Sequence, residues 1–233
     1  MARRKSTRSK KSQRKIERRV DTMRWAAVAI VIIVVSVLAW YFISQGQKSN
    51  TAGNANAATP VAVGTKQWAS APPMTIDVNK KYFANFTMAK GGQFVVQLYP
   101  DKAPITVNSF VFLAKNGFYD GTTFHRVLEG FMAQGGDPTG TGAGGPGYEF
   151  VNEKNNLTFD KAGVVAMANS GPNTNGSQFF ITFGPTPLQE SDYTIFGQVT
   201  SGMDVVNGIT RRDPNQNPTF TGDAIQSVTI SEQ

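Results

Sequence analysis

The 233-residue chain is 40% hydrophobic and 11% aromatic, which is enough apolar material for one folded domain with a core. It has no cysteine and one histidine, His125, which excludes disulfides, thiolate catalysis, Cys-ligated metals and paired-histidine metal sites. Its net charge of +7 arises in residues 1–24, which hold eleven Lys and Arg against two acidic residues, so the other 209 residues carry −2 and offer no cationic surface for nucleic acid.

Residues 25–43 form an uncharged apolar stretch of 19 residues, long enough at ~1.5 Å per residue to cross a hydrocarbon core of roughly 30 Å. Trp25 lies at one end of this stretch and Trp40 and Tyr41 near the other, and the basic residues 1–24 precede it. The positive-inside rule therefore predicts a cytoplasmic tail over 1–24, a transmembrane helix over 25–43, and a cell-membrane protein with all later residues outside the cytoplasm. A cleaved signal peptide is the alternative, although the nearest A-x-A site, Ala55 to Ala57, lies well downstream.

Residues 44–75 are rich in Ser, Asn, Ala, Thr, Gly, Gln and Pro, with Trp68 as the only bulky exception. A segment of this composition buries too little apolar surface to offset the entropy of ordering, so it is predicted to be a flexible linker. The folded domain is then expected over residues 76–233.

Short apolar runs between Gly, Asn and Pro turns dominate the domain. Strands are predicted over 82–89, 92–99, 123–128, 131–134, 163–168, 178–183, 194–199 and 224–230, and helices over 101–117 and 202–209. Many short strands with few helices are typical of a closed antiparallel barrel or a sandwich.

Common catalytic motifs are missing from the domain. The spacing Gly142-x-Gly144-x-x-Gly147 matches a dinucleotide fingerprint, but it includes Pro146 and does not lead into a predicted helix. No Gly-x-Ser-x-Gly is present to position a nucleophilic serine. Hydrolytic and metal-dependent chemistry are therefore disfavoured, and no cofactor is expected.

Two long segments carry the strongest signal, FHRVLEGFMAQGGD at residues 124–137 and MANSGPNTNGSQFF at residues 167–180. Together they resemble the two signature segments of the cyclophilins, and the resemblance extends over about residues 80–231. The glycine-rich loop DPTGTGAGGPGY at 137–148 is similar to bacterial members in particular. The resemblance implies a closed eight-stranded antiparallel β-barrel capped by two α-helices, and peptidyl-prolyl cis-trans isomerase activity.

The implied activity fits the residues that the resemblance assigns to it. Rotation about an X-Pro bond breaks amide resonance but no covalent bond, so it needs no nucleophile, metal or cofactor. The resemblance makes Arg126 the catalytic residue, since a permanently charged guanidinium can donate to the prolyl nitrogen of a twisted amide. Gln134 is implied as its supporting polar partner, and His125 as structural.

The resemblance also implies a substrate-binding set. An apolar pocket for the proline ring is expected from Phe131, Met132, Phe180 and Leu188, and a strip that aligns the peptide backbone from Ala168, Asn169, Ser170 and Gln178. The segment after Leu188 departs from the family's usual loop. Tyr193 stands where a histidine often closes the pocket, and Pro187 where the family often has the tryptophan that matters for cyclosporin binding.

We therefore expect a monomeric, membrane-anchored isomerase that acts on proline-containing polypeptides as exported or surface proteins fold. Two alternatives stay open at this point. One is a non-catalytic module that holds proline-containing segments in the same groove, and the other is a membrane-tethered chaperone.

Overall fold

A computed structural model describes residues 66–233 of the chain. The predicted tail (1–24), the predicted transmembrane helix (25–43) and most of the predicted linker (44–75) lie outside the described residues. Within the described residues, no helix is long and apolar enough to cross a membrane.

Eight β-strands form the body of the domain, at the positions that the apolar runs predict. Their burial alternates where one face meets the core. In the first strand, Tyr82–Met88, residues 82, 84, 86 and 88 are buried and the three between them are half-buried. The strands are β1 (Tyr82–Met88), β2 (Gln93–Leu98), β3 (Arg126–Leu128), β4 (Met132–Gly135), β5 (Val164–Met167), β6 (Phe179–Thr182), β7 (Ile195–Ser201) and β8 (Ile225–Glu232).

The strands make one antiparallel sheet in the order β3-β4-β6-β5-β7-β2-β1-β8. β3 and β8 are its two edges, and no ladder joins them among the described residues. β3 is only three residues long, and in the part of the chain that the structure describes its outer side pairs through one bridge, between Val127 and Arg212. The sheet is therefore a curled half-barrel, and the closed barrel that the sequence analysis expects is wrong in this respect.

Two α-helices accompany the sheet, as expected. Helix α1 (Pro104–Lys115) begins with proline in its first turn and is followed by Gly117 at φ 63°, a backbone angle that glycine adopts without steric cost. Helix α2 (Met203–Asn207) is shorter, and a 3₁₀ turn (Pro214–Gln216) follows it.

The main core lies between α1 and the concave side of the sheet. Phe110 of α1 packs among aromatic rings at centroid distances of 4.9 Å to Tyr119, 5.4 Å to Phe196 and 5.9 Å to Phe179. These rings are almost fully buried, and burial of apolar surface of this size is the main stabilising contribution to the domain.

A second, smaller cluster of buried residues lies beneath one end of the sheet. It contains Met132, Phe159, Val164, Ala166, Phe180 and Ile195. Partly buried residues that pack on it include Phe131, Leu188 and Tyr193. This cluster is the floor of the site described below.

The last part of the predicted linker packs on the domain. The Trp68 ring lies edge-on to Phe112 of α1 at 5.1 Å, and its backbone N–H donates to the Pro146 carbonyl at 2.9 Å. The buried Asn108 side chain accepts from the Thr75 N–H at 2.9 Å and donates to the Pro73 carbonyl at 3.0 Å. Residues 66–75 are thus attached to the domain that the sequence places over 76–233.

Candidate active site

Three neighbouring strands align three of the expected site residues in one row. Arg126 on β3 lies opposite Gln134 on β4, and Gln134 in turn lies opposite Phe180 on β6. Directly opposed residues of an antiparallel sheet project to the same face, so these side chains share one surface.

That surface contains a pocket of about 140 Å³. Every residue that lines it is one that the sequence analysis expects at the site. The lining residues are Arg126, Phe131, Met132, Gln134, Ala168, Asn169, Phe180, Leu188 and Tyr193. The structure therefore brings together residues from four separate parts of the chain.

The floor and walls of the small pocket are aromatic and apolar. Tyr193 lies edge-on to Phe180 with ring centroids 5.4 Å apart, and Phe159 stacks behind Phe180 at 5.8 Å. Met132 is buried beneath them. Pro187, by contrast, is exposed and does not line the pocket.

Arg126 supplies the positive charge at the rim of the small pocket. Its Nη1 lies 3.4 Å from Gln134 Oε1 and 3.9 Å from Met132 Sδ, and its guanidinium carbon lies 5.9 Å from the Phe131 ring centroid. Within residues 66–233, its Nε and Nη2 have no hydrogen-bond partner and no carboxylate forms an ion pair with it. Its charge and two of its donor atoms are therefore available to a ligand.

Gln134 connects Arg126 to the glycine-rich loop. An arginine can only donate, so Gln134 Oε1 faces Nη1 and Gln134 Nε2 points away. Nε2 donates to Gln178 Oε1 at 2.9 Å. Gln178 Nε2 then donates to the carbonyls of Gly142 and Gly144, each at 2.9 Å. One chain of hydrogen bonds thus fixes the amide orientation of both glutamines.

A larger pocket of about 560 Å³ adjoins the small one. The two share Gln134, Ala168 and Asn169, and the expected residues Ser170 and Gln178 line only the larger pocket. The main-chain N–H and C=O of Asn169 have no hydrogen-bond partner among residues 66–233. They are the groups expected to align a peptide backbone.

Two parts of the larger pocket have no role predicted from the sequence. One is the glycine-rich loop itself, whose residues 142–147 form one side. The other is Gln67, from the segment predicted to be a linker. The bulk of Trp68 within a small-residue segment is the one sequence signal that could have indicated this docking.

The buried Asp137 holds the glycine-rich loop in place. Its Oδ1 accepts from the Thr139 N–H at 2.7 Å and from the Thr139 hydroxyl at 2.8 Å, and its Oδ2 accepts from the N–H groups of Gly142 at 2.5 Å and Gly144 at 3.2 Å. Burial opposes ionisation of this carboxyl, but the hydrogen bonds outweigh it and lower the pKa of Asp137 from its ordinary value.

His125 lies beside Arg126 in the chain but does not line either pocket. It is buried, and desolvation lowers its pKa from the ordinary value. The implied structural role is consistent with this position.

Within residues 66–233, no three His, Cys, Asp or Glu side chains lie close enough together to hold a metal ion.

Known proteins resemble the chain over this same region. The sequence profile of the family described as cyclophilin type peptidyl-prolyl cis-trans isomerase/CLD matches residues 83–230, which is more than half of the chain. A Rhizopus delemar protein named peptidyl-prolyl cis-trans isomerase-like 1 is 52% identical over 130 residues, which cover 53% of this chain and 79% of that protein. A Mycobacterium leprae protein named probable peptidyl-prolyl cis-trans isomerase A is 49% identical over 160 residues, covering 60% of this chain and 87% of that protein.

Solved structures show the same fold. A crystal structure of a Cryptosporidium parvum cyclophilin type peptidyl-prolyl cis-trans isomerase superposes with a TM-score of 0.57 at 31% identity, covering 66% of this chain and 99% of that one. A second structure of that protein, in the presence of the dipeptide Ala-Pro, gives a TM-score of 0.56 at 32% identity and covers 65% of this chain and 99% of that one.

Proposed function

The chain belongs to the cyclophilin-type peptidyl-prolyl cis-trans isomerase family and is an isomerase of X-Pro bonds, and we propose that the small pocket beside Arg126 is where the proline ring binds. The observation that carries this proposal is the convergence of nine expected residues on one pocket that is apolar inside and cationic at its rim. The Ala-Pro dipeptide present with the structural relative supports a proline-containing ligand.

The chemistry requires that the enzyme bind the twisted amide more tightly than either planar form. The barrier to rotation is about 18–20 kcal/mol because amide resonance is lost when the bond twists. In the twisted state the prolyl nitrogen regains a lone pair and can accept a hydrogen bond. Only an interaction that strengthens in that state accelerates the rotation.

Arg126 is suited to make this interaction. Its charge is not neutralised by a carboxylate among residues 66–233, and its Nε and Nη2 carry donors beyond the one used on Gln134. In a site shielded from water by Phe131 and Met132, such a donor acts more strongly than in bulk solvent. Gln134 keeps the guanidinium directed, and it does not contact the reacting bond.

The apolar walls hold the ring while the preceding carbonyl moves. Phe180, Tyr193 and Met132 offer contact to the ring carbons, and Leu188 is a further apolar residue of the lining. Apolar contact of this kind selects proline without selecting one neighbouring residue. The main chain of Asn169 pairs with the substrate backbone and limits rotation to the X-Pro bond.

A protease-coupled isomerase assay on the full-length chain tests the role of Arg126. Arg126→Ala should lower kcat/KM on an X-Pro peptide by at least about tenfold, since the charge and donors are removed together. Arg126→Lys should recover little, because an ammonium lacks the planar fork. Arg211→Ala is the control, as that guanidinium pairs with Glu129 and lies over the Phe183 ring, outside both pockets. Full activity in Arg126→Ala would contradict the proposal.

We further propose that the isomerase domain lies outside the cytoplasm, anchored by residues 25–43, and serves exported or surface proteins as a monomer. The supporting observations are the basic residues 1–24 followed by 19 uncharged apolar residues. In cells whose cell membrane is intact but whose wall lets protease through, added protease should digest the domain. The full-length chain should fractionate with membranes. A chain that is protected from protease, or one that is recovered soluble after loss of its N-terminus, would contradict the anchored arrangement.

A further inference from the structure

Residues 66–68 precede the region that matches the family profile, residues 83–230, yet they contact the substrate side of the domain. Trp68 anchors them, with its ring 5.1 Å from Phe112 and 6.0 Å from Phe118 and its N–H on the Pro146 carbonyl. Lys66 Nζ donates to the carbonyls of Asn116 and Gly117 at the end of α1. The segment is thus fixed on both sides of Gln67.

The glycine-rich loop is shaped to accept this segment. Gly147 has φ +91°, and a Cβ placed on it would lie 2.7 Å from the Trp68 carbonyl oxygen and 3.2 Å from Gln67 Cβ. Only a residue without a side chain allows so close an approach of two backbones. The loop and residues 66–68 therefore form one continuous wall.

Gln67 lies in that wall and lines the larger pocket. Its side chain is exposed, so no buried contact of the fold requires it. The larger pocket joins the small one through Gln134, Ala168 and Asn169. A polypeptide whose proline occupies the small pocket must extend past these shared residues, and the larger pocket is the adjoining space that can take it.

We propose that Gln67 is a substrate-binding residue and that Trp68 is the positioning residue that holds it in the larger pocket. This rests on the proposed function, in that the small pocket holds the proline. An amide side chain offers one acceptor oxygen and two donors, which suit the C=O and N–H groups of an extended backbone. The ligand class is therefore the polypeptide main chain that flanks the proline, whatever its side chains.

Two peptides separate this contact from the isomerisation step. One is a capped Ala-Pro dipeptide, and the other is the same dipeptide extended by two alanines at each end. Exchange between the cis and trans isomers of each peptide is followed by NMR in the presence of the full-length enzyme. Gln67→Ala and Trp68→Ala should each lower the ratio of kcat/KM for the extended peptide to that for the short one by about three- to tenfold, the effect of one lost hydrogen bond. The change should lie in KM for the extended peptide, with kcat within about twofold.

Three further variants make the test decisive. Trp68→Phe keeps an aromatic ring against Phe112 and should restore most of the ratio. A general loss of stability would lower kcat/KM for both peptides alike and leave their ratio unchanged. Met74→Ala, at an exposed position in the same segment, should leave the ratio at the wild-type value. If Gln67→Ala keeps the wild-type ratio, Gln67 does not bind the substrate and the inference is wrong. If only Trp68→Ala keeps it, Trp68 does not position Gln67. An active Arg126→Ala would instead contradict the proposed function and leave the role of Gln67 standing.

Discussion

Arg126 and Gln134 face each other across β3 and β4, with Nη1 3.4 Å from Oε1. We predict that Gln134→Ala lowers kcat/KM by about three- to tenfold, less than Arg126→Ala. The guanidinium loses the hydrogen bond that orients it but keeps its charge. Gln134→Glu should be more harmful, with a loss of about tenfold or more, since a carboxylate would pair with Arg126 and neutralise it in the ground state. Steady-state kinetics on one X-Pro peptide compare the two.

Gln134→Glu also breaks the next contact in the chain. Gln178 Oε1 now accepts from Gln134 Nε2, and a carboxylate there has no hydrogen to give. Gln178 could then donate to the carboxylate only by turning its amide away from the Gly142 and Gly144 carbonyls. If Gln134→Glu were as active as wild type, Gln134 would not direct Arg126.

Tyr193 closes the small pocket with its ring, not through a hydrogen bond. Its ring meets Phe180 edge-on at 5.4 Å and Phe159 at 6.1 Å, and its hydroxyl has no hydrogen-bond partner among residues 66–233. Tyr193→Ala should raise KM about three- to tenfold by removing apolar contact with the proline ring. Tyr193→Phe should lie much closer to the wild type. Equal losses in the two variants would mean that the hydroxyl, and not the ring, acts in binding.

The strand pattern of the sequence predicts most of this fold. All eight predicted strands and both helices form, because alternation of apolar and polar residues and the Gly and Pro positions between them are local properties of the chain. Barrel closure is not local. It depends on whether β3 pairs with β8. β3 ends after three residues, and its only outer partner within residues 66–233 is Arg212.

The grouping of the candidate-site residues could be predicted for a different reason. Phe131 and Asn169 have no local feature that marks them as neighbours, and it is the resemblance to the two signature segments that predicts them. Tyr193 lies outside those segments and is predicted from its place in the loop after Leu188. Gln67 and Trp68 lie outside those segments, in residues whose small polar composition is typical of a linker. Their docking depends on Phe112, Phe118 and Pro146, which are distant in sequence, so composition alone could not predict it.

His125 should make the domain less stable as pH falls below about 6.5, the ordinary pKa of histidine. Burial lowers its pKa from 6.5, as do Arg212 and Arg126, while the nearby Asp137 carboxylate opposes the shift. Neither ring nitrogen has a hydrogen-bond partner among residues 66–233. Below the unfolded pKa the unfolded chain binds more protons than the folded one, so the free energy of unfolding falls as pH falls. Each unit by which the folded pKa is lowered corresponds to about 1.4 kcal/mol.

Urea unfolding at several pH values tests this, with His125→Gln as the comparison. His125 is the only histidine, and most carboxyl groups titrate lower, so the variant should be nearly independent of pH in this range. The same slope in both proteins would show that another group titrates.

Asp137 and Gly144 set the shape of the glycine-rich loop, and two adjacent glycines allow a matched test of it. A Cβ on Gly144 would collide with Asp137 Oδ1 and lie 2.8 Å from Thr139 Cγ2, while a Cβ on Gly145 would meet nothing within 4 Å. Gly144→Ala must displace the carboxylate that receives the Thr139, Gly142 and Gly144 hydrogens, so we expect a loss of about 1–3 kcal/mol in the free energy of unfolding. Gly145→Ala should change it by less than about 0.5 kcal/mol. Hydrogen exchange within residues 139–144 should accelerate in Gly144→Ala alone, because the N–H groups that donate to Asp137 lose their acceptor. Equal exchange in the two variants would show that Asp137 does not hold the loop.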